Sequence, residues 1–534
     1  DDTIELERDK SHLQFIFDQD GQTFFTLVLP AVGKHLDRCL SNGVLTPSRL
    51  AHFRAFRRGG VIPRLFRELY LRIFEESGVL RSCPDVGAIR FLRQILYAAK
   101  KVKVPCAQSA KFAALQAFWD VESALRSPTN RWDLDTLTGL GYHLHLADDA
   151  LVSGGECPAV SQSFGDAAGE AQHQLEGIYL HESARDSSLD SLYGRAQQVA
   201  DSVIFGLGVF DPLVFRPKHG PGAVADLRGE SDKYCFPTWP VKLEGVFGVS
   251  DFAYANIRLF LDSGGGREYG LERGTSLGCL HSLSESPSLL HAVPKTQKGP
   301  RLIAAEPTSH QWCQQVVKDF LDHSVKRTVL RNCIDFRRQN LSQEAALRAS
   351  HSGRYATVDL SDASDRISCW LVERIFRSRP DLLIAFHACR TRWIKQTLDK
   401  KIPSHFRLKK FSTMGSALTF PVQSIVFTVL AIAVRIHNTG RYVDRDTIAR
   451  ASREVRVFGD DIICRSEDVG MLTQLLAGLG LKVNAAKTYV NGKFRESCGM
   501  DAYAGVDVTP AYVIEVGQET RPNVVASRID TSNN

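Results

Sequence analysis

The stretch that most constrains this chain is Val455-Arg-Val-Phe-Gly-Asp-Asp-Ile-Ile-Cys464. Two apolar runs rich in β-formers flank Gly459, Asp460 and Asp461, a pattern that predicts a tight β-hairpin with these three residues at the turn. Adjacent carboxylates repel each other. A chain that keeps them at a turn usually sets a divalent cation between them and another acid. A candidate for that acid lies upstream, in Tyr355-Ala-Thr-Val-Asp-Leu-Ser-Asp-Ala-Ser-Asp365. Here a short strand is expected to end in Asp359, and a helical pattern (Ile367, Trp370, Leu371, Ile375) follows. The carboxyl end of a strand before a helix is where α/β arrangements place chemistry. Taken alone, Asp359 reads equally as an N-cap or turn residue.

Composition sets the bounds. With 534 residues, 43% hydrophobic and 24% charged, the chain has enough apolar material for several cores and is not of the disordered class. Twelve cysteines contain no C-x-x-C pair, which argues against zinc ribbons and a disulfide framework and for reduced thiols in cytosol. The polar start, Asp-Asp-Thr-Ile-Glu-Leu-Glu-Arg, has no signal-peptide pattern, and without an initiating Met the sequence is expected to be a fragment. Phe411 to Val434 runs 24 residues without a charge, the length of a membrane span. Pro421, Gln423 and several hydroxyl residues interrupt it, so a buried helix entered through a Gly-Ser turn is expected instead.

Residues 11–130 carry three apolar stripes at helical spacing: Leu65 to Phe74, Ile89 to Ala99, and Ala107 to Arg126. They predict a helical packing region. His143, His145, Asp148 and Asp149 could imitate a metal site, but a solvated turn explains them as well. Residues 153–196 read as a flexible connection or inserted lobe. Arg216-Pro-Lys-His-Gly-Pro-Gly222 could present Lys218 and His219 to phosphates or be a plain turn. Ser263-Gly-Gly-Gly-Arg267 lacks the Gly-Lys-Ser/Thr of a P-loop.

The informative part begins near residue 290. Lys295, Lys298 and Arg301 recur every three residues around turn formers, an arrangement that can converge on a triphosphate or simply form a solvated basic loop. Arg390 to Lys410 holds eight Lys or Arg against one Asp, interleaved with Trp393, His405 and Phe406. This fits either a nucleic-acid track or a solvated face. Gly415 and Ser416 allow a backbone to approach a ligand closely. Lys487 stands as an isolated cation in Leu481 to Tyr489.

The order of these pieces says more than any one of them. Basic hairpin, Asp-x5-Asp after a strand, Gly-Ser loop into a helix, Gly-Asp-Asp hairpin and Lys turn follow one another as the motifs of viral RNA-dependent RNA polymerases do. Pro217-Lys-His-Gly-Pro-Gly222, Val293-Pro-Lys, Ala304-Ala-Glu-Pro307, Val358-Asp-Leu-Ser, Met414-Gly-Ser, Phe458-Gly-Asp-Asp461, Phe494-Arg-Glu-Ser-Cys-Gly499 and Gly505-Val-Asp-Val-Thr-Pro510 narrow this further. Over about residues 210–515 the chain resembles the replicase catalytic subunits of single-stranded RNA bacteriophages, the leviviruses.

The resemblance implies an α+β right-hand polymerase. It implies a helical N-terminal and fingers region at 1–150, fingers with a connecting segment at 151–290, a palm at 291–500 whose first part (291–310) serves the fingers, and the start of a thumb at 501–534. It implies template-directed RNA synthesis with two Mg²⁺ ions (Mn²⁺ as substitute) roughly 3.5–4 Å apart. By resemblance Asp359 and Asp460 hold both metals, Asp461 assists, and Lys487 neutralises or protonates the leaving pyrophosphate. Lys295, Lys298 and Arg301 would grip the triphosphate, and Gly415 and Ser416 would line the template–nucleotide pocket. Asp365 would sense the ribose 2′-hydroxyl, the group that separates RNA from DNA, although Asp362 is a rival for that part. Implied partners are RNA template and product, NTPs, host elongation factors Tu and Ts and an RNA-binding ribosomal protein, in the bacterial cytoplasm and without a membrane. The chain ends 73 residues after Asp461, so a missing C-terminal part is expected. Competing readings are a reverse transcriptase or other palm polymerase and, in another class, a non-catalytic RNA-binding protein.

Overall fold

Five helices lead the chain in the computed structural model, which describes residues 2–129 and 175–514 apart from 49, 51–52, 176, 184–188, 228–230, 235, 237, 254–280 and 283–284. They are α1 (Asp2–Asp20), α2 (Leu29–Asn42), α3 (Arg67–Ile73), α4 (Val86–Tyr97) and α5 (Gln108–Ala124). Their ends follow local chemistry. Asp85 caps α4 by accepting from the Ala88 amide, and Gly43, at φ 76°, closes α2 in the left-handed region that glycine adopts without cost. The three predicted stripes fall on α3, α4 and α5. The first is shorter than its pattern, because Phe66 has φ 61° and Phe74 is extended and bridges to Leu80. The two histidines and two aspartates at 143–149, most of 153–196, and the glycine run at 263–267 lie outside the described residues.

Apart from three four-residue helical turns (Val241–Glu244, Val249–Phe252 and Ala363–Arg366), the further α-helices among the described residues are α6 (Asp190–Phe205), α7 (Thr308–Arg327), α8 (Asn340–Ser352), α9 (Cys369–Phe376), α10 (Pro380–Cys389), α11 (Thr419–Asn438), α12 (Arg445–Ser452) and α13 (Val469–Gly478). Besides a two-residue parallel pair, Trp239–Pro240 with His281–Ser282, the strands among the described residues are β1 (Ser288–Thr296), β2 (Gly299–Ala305), β3 (Tyr355–Val358), β4 (Leu360–Ser361), β5 (Trp393–Lys395), β6 (His405–Arg407), β7 (Arg456–Phe458), β8 (Asp461–Arg465), β9 (Lys482–Val483), β10 (Phe494–Ser497), β11 (Met500–Tyr503) and β12 (Val506–Asp507). Helices and largely antiparallel sheets make this an α+β chain, as expected.

Three small sheets organise the middle of the molecule. In one, β8 lies between β3 and β7, antiparallel to both. In another the order is β2-β1-β5-β6, with the β1–β5 pair parallel. The third is the antiparallel meander β10-β11-β12. Helix α11 is apolar and long enough to cross a membrane by composition, yet 89% of its apolar window is buried. Val422, Ile425, Val426, Val429, Leu430 and Ala433 form part of the largest core, and α11 packs against α6, α12, α13 and strands β7 and β8. The uncharged run is therefore the central core helix, as its Pro and Gln interruptions predicted.

A second core joins the two ends of the chain. Leu36, Leu40, Ile89 and Leu92 from the leading helices pack with Phe494, Tyr503 and Val508. A third small core sets Leu115 and Phe118 of α5 against Leu290, Ala304, Ile394 and Phe406. The leading helices thus support both the meander and the β1–β2 hairpin.

Candidate active site

The register of one strand pair decides where the acids meet. Ile462 of β8 pairs with Val358 of β3, so Asp359, just past the end of β3, comes up beside Asp461, the first residue of β8. Asp461 also pairs with Phe458 across the hairpin, which leaves Gly459 and Asp460 as the turn. The predicted hairpin is present, with the refinement that Asp461 belongs to a strand. Gly459 has φ 66°, its amide donates to Ser424 Oγ at 3.0 Å, and a Cβ there would press on the Phe420 ring. The turn is thereby seated on the first turns of α11.

Each carboxylate has a defined setting. Asp359 Oδ1 accepts from Asn484 Nδ2 at 2.9 Å, and its Oδ2 accepts from Lys487 Nζ at 3.0 Å. The Asn484 amide donates to the Asp359 carbonyl at 2.8 Å, which ties the Lys487 turn to the strand end. Lys487 also lies 3.7 Å from Glu496 Oε1. Asp461 Oδ2 accepts from the Cys498 amide at 3.0 Å.

Burial and mutual repulsion govern the charges. Burial, then the neighbouring Asp460, pushes the Asp461 carboxyl up to about 6. Asp460 is also raised, by burial first and by Asp359 among other groups. Burial lifts Glu496 to about 7 against the pull of Lys487. Burial works against the charge of Lys487, but Glu496 and Asp359 more than offset it, so its pKa is raised. Asp460, Asp461 and Glu496 thus resist ionisation more than free carboxyls do, and one lysine already lies among the acids.

The basic hairpin faces this group. Arg301 pairs with Val293 across β1 and β2, and a register irregularity between Val293 and Thr296 carries Lys295. Burial lowers the pKa of Lys295, Arg301 and Lys487 lower it further, and Asp460 and Asp359 pull the other way. Lys298, at the hairpin tip, shares its field with Lys34 of α2, which also interacts with Lys487, Glu496 and Asp359.

The Gly415 loop belongs to the same assembly. Gly415 has φ 136°, and a Cβ on it would collide with the Ala304 carbonyl oxygen of β2. The Ala304 amide donates to the Met414 carbonyl at 2.7 Å. Ser416 Oγ accepts from the Leu418 amide at 3.3 Å, just ahead of α11.

Asp365 lies in the short helical turn Ala363–Arg366, and its partner is Lys410, whose Nζ donates to Oδ1 at 3.0 Å. Asp362 is exposed with φ 52°, a backbone turn position.

One expectation needs correction. The basic run 390–410 is not one solvated track. Arg390, Arg392 and Lys410 are buried, with Arg390 on the carbonyls of Leu408, Lys410 and Phe411 and Arg392 on Glu285. Phe406 packs in a core beside Trp119 and Phe118. Only part of the run, including Lys395, Lys400, Lys401 and Arg407, remains exposed. In the Arg216–Gly222 stretch, Lys218 pairs with Asp319 and the His219 ring lies tilted 4.7 Å from Trp312, which fits the plain-turn alternative.

Reading the sequence missed Lys34, Asn484 and Glu496. Asn484 and Glu496 lie in stretches noticed without a role, whereas Lys34 sits in a plain helix and gives no local signal. Among the described residues no three or more His, Cys, Asp or Glu side chains stand ready as an ion cage. The donor chemistry is nevertheless that of a hard divalent cation's ligands, because the carboxylates of Asp359, Asp460 and Asp461 lie within one another's repulsive field, and Lys487 holds an oxygen of Asp359 that a metal would compete for.

Comparison with known proteins agrees with the order of these parts. Residues 266–520 match the family model of the RNA replicase beta-chain. The chain is 36% identical over 229 residues to the RNA-directed RNA polymerase beta chain of Escherichia phage MS2, a match covering 41% of this chain and 36% of that protein. It is 36% identical over 230 residues to the RNA-directed RNA polymerase subunit beta of Escherichia virus Qbeta, covering 41% and 34%. The phage GA beta chain is 31% identical over 237 residues, covering 44% and 40%. The matches thus span between about a third and two fifths of these relatives' lengths. Every predicted site residue from Lys295 to Lys487 falls inside the replicase segment; Lys34 and helices α1–α5 precede it.

Proposed function

We propose that this chain is an RNA-directed RNA polymerase that replicates a phage genome by adding ribonucleotides to an RNA primer end or initiating strand on an RNA template. The observation that carries this reading is the β3–β8 register, which brings Asp359 to Asp460 and Asp461 beside a hairpin bearing Lys295, Lys298 and Arg301. The match of residues 266–520 to the replicase beta-chain family model supports it. On this reading β3, β7, β8, α11 and the Lys487 turn form a palm, the β1–β2 hairpin belongs to the fingers, and the chain past residue 500 opens a thumb.

Asp359, Asp460 and Asp461 would hold two Mg²⁺ ions, with Mn²⁺ as a substitute. Such a pair supplies activation of the attacking 3′-hydroxyl and neutralisation of the leaving pyrophosphate. The chain's own residues do the rest. Lys295, Lys298 and Arg301 bind and orient the triphosphate. Lys487, released from Asp359, is placed to meet charge developing on the leaving group. Gly415 and Ser416 shape the pocket for the template–nucleotide pair, and the half-buried Asp365 meets the ribose 2′-hydroxyl. Host elongation factors Tu and Ts and an RNA-binding ribosomal protein are the proposed partners, in the cytoplasm of the bacterial host.

The test is template-directed incorporation of labelled NTPs with Mg²⁺. Asp460→Asn should reduce it on the order of a hundredfold or more, about 2.7 kcal/mol of barrier, while RNA binding persists. Undiminished incorporation would sink the metal reading. Loss of RNA binding together with incorporation would favour a binding module over an enzyme.

A further inference from the structure

Lys410 has no exposed side-chain surface, and its side-chain nitrogen lies among acids. A buried ammonium is stable only when its hydrogens meet acceptors. Lys410 Nζ donates to Asp365 Oδ1 at 3.0 Å, stands 3.6 Å from Glu122 Oε2, and lies 3.4 Å from the centroid of the Phe118 ring. Its backbone is fixed as well. Lys410 bridges to Ser368, and its carbonyl accepts from Arg390 Nη2 at 3.0 Å.

Glu122 and Phe118 belong to α5, outside the matched replicase segment. Glu122 is buried and also accepts from the Lys409 amide, so α5 is clamped to residues 409–410 from its own side. The other end of the clamp is Asp365. Lys410 takes one oxygen of that carboxylate, and among the described residues nothing donates to the second. The arrangement fixes the carboxylate's rotation and leaves Oδ2 as an acceptor for a ligand hydroxyl.

We infer that Lys410, held by Glu122 and Phe118, is a positioning residue for ribose selection: it aims Asp365 at the sugar of the incoming nucleotide. The inference rests on the polymerase reading above and on the role given there to Asp365. An acceptor held in place discriminates for a hydroxyl because the analogue without it leaves the acceptor unpaired. An acceptor free to rotate loses much of that difference. The N-terminal helix thereby sets substrate choice at a site to which it contributes no group that touches substrate.

The test compares kcat/KM for ribonucleotides and deoxyribonucleotides on an RNA template in the full chain, for wild type, Lys410→Met and Glu122→Gln, with thermal midpoints measured in parallel. Lys410→Met should lower the ribose preference at least about tenfold, mainly by raising KM for ribonucleotides and with little change for deoxyribonucleotides. Glu122→Gln preserves shape and the Lys409 contact and should shift the ratio in the same direction by less. If both substrates lose efficiency equally in both variants, Lys410 is merely structural and the inference is overturned. If Lys410→Met does not fold, an unchanged ratio in Glu122→Gln overturns it. A wild type that incorporates no nucleotide overturns the polymerase reading and this inference with it. An active wild type, an inactive Asp460→Asn and unchanged ratios overturn only the inference.

Discussion

At the scale of single residues, the pH response of Asp461 follows from its burial. Its carboxyl is raised to about 6 in the fold, against an ordinary value near 3.8. Because the folded pKa exceeds the unfolded one, protonation favours the fold: the contribution is complete below about 3.8 and is lost as pH rises through about 6. A divalent cation acts in the opposite sense, since it binds the ionised form and must displace the proton below that pH. The rise in thermal midpoint on adding Mg²⁺ or Mn²⁺ should therefore be small at pH 5 and grow up to pH 7. Asp461→Asn should flatten that dependence relative to wild type, although Glu496 titrates in a neighbouring range in both proteins. A metal-induced shift that is equal at pH 5 and pH 7 would remove Asp461 from the ligand set.

Among the elements, the Gly415 loop and the β1–β2 hairpin are joined at one contact, Gly415 on the Ala304 carbonyl. Gly415→Ala must both leave a favoured backbone region and push the loop off β2. It should cost about 1–3 kcal/mol of stability and reduce incorporation at least about tenfold. Gly440, at φ 66° with open space around it, is the control: alanine there strains the backbone alone, and activity should stay near wild type. Element by element, the sequence was legible where a local rule acts. Alternation around Gly459 announced the β7–β8 hairpin, helical spacing announced α4 and α5, and Pro421 and Gln423 marked α11 as a core helix. It was illegible where tertiary packing decides. Nothing near Arg390 or Lys410 indicates that these cations are buried while Lys400 and Lys401 stay outside, because their partners, from Glu122 to backbone carbonyls, come from other elements. Asp359 was readable as a partner for Asp460 only through motif order, since the β3–β8 register that unites them is a non-local pairing.

In the whole molecule, the two ends of the described chain are held together by a buried ion cluster. Arg93 of α4 is 1% exposed, pairs with Asp37 of α2, and donates to Asp501 of β11 and to the Val508 carbonyl at 3.1 Å. Tyr97 adds a hydrogen bond to Asp37 at 2.7 Å. The same meander carries Glu496 and the Cys498 amide that holds Asp461, so the leading helices brace the Asp359–Asp460–Asp461 group through the meander. Breaking such a cluster at one member strands the others: Arg93→Met leaves two buried carboxylates unpaired and should cost about 3–5 kcal/mol. Asp37→Asn combined with Asp501→Asn in the Arg93→Met background removes the stranded charges and should recover part of that loss. If the acids depend on this brace, Arg93→Met should also weaken metal-induced stabilisation at temperatures where the protein remains folded. Full retention of the metal response with the expected loss of stability would show that the N-terminal helices support the fold without setting the site.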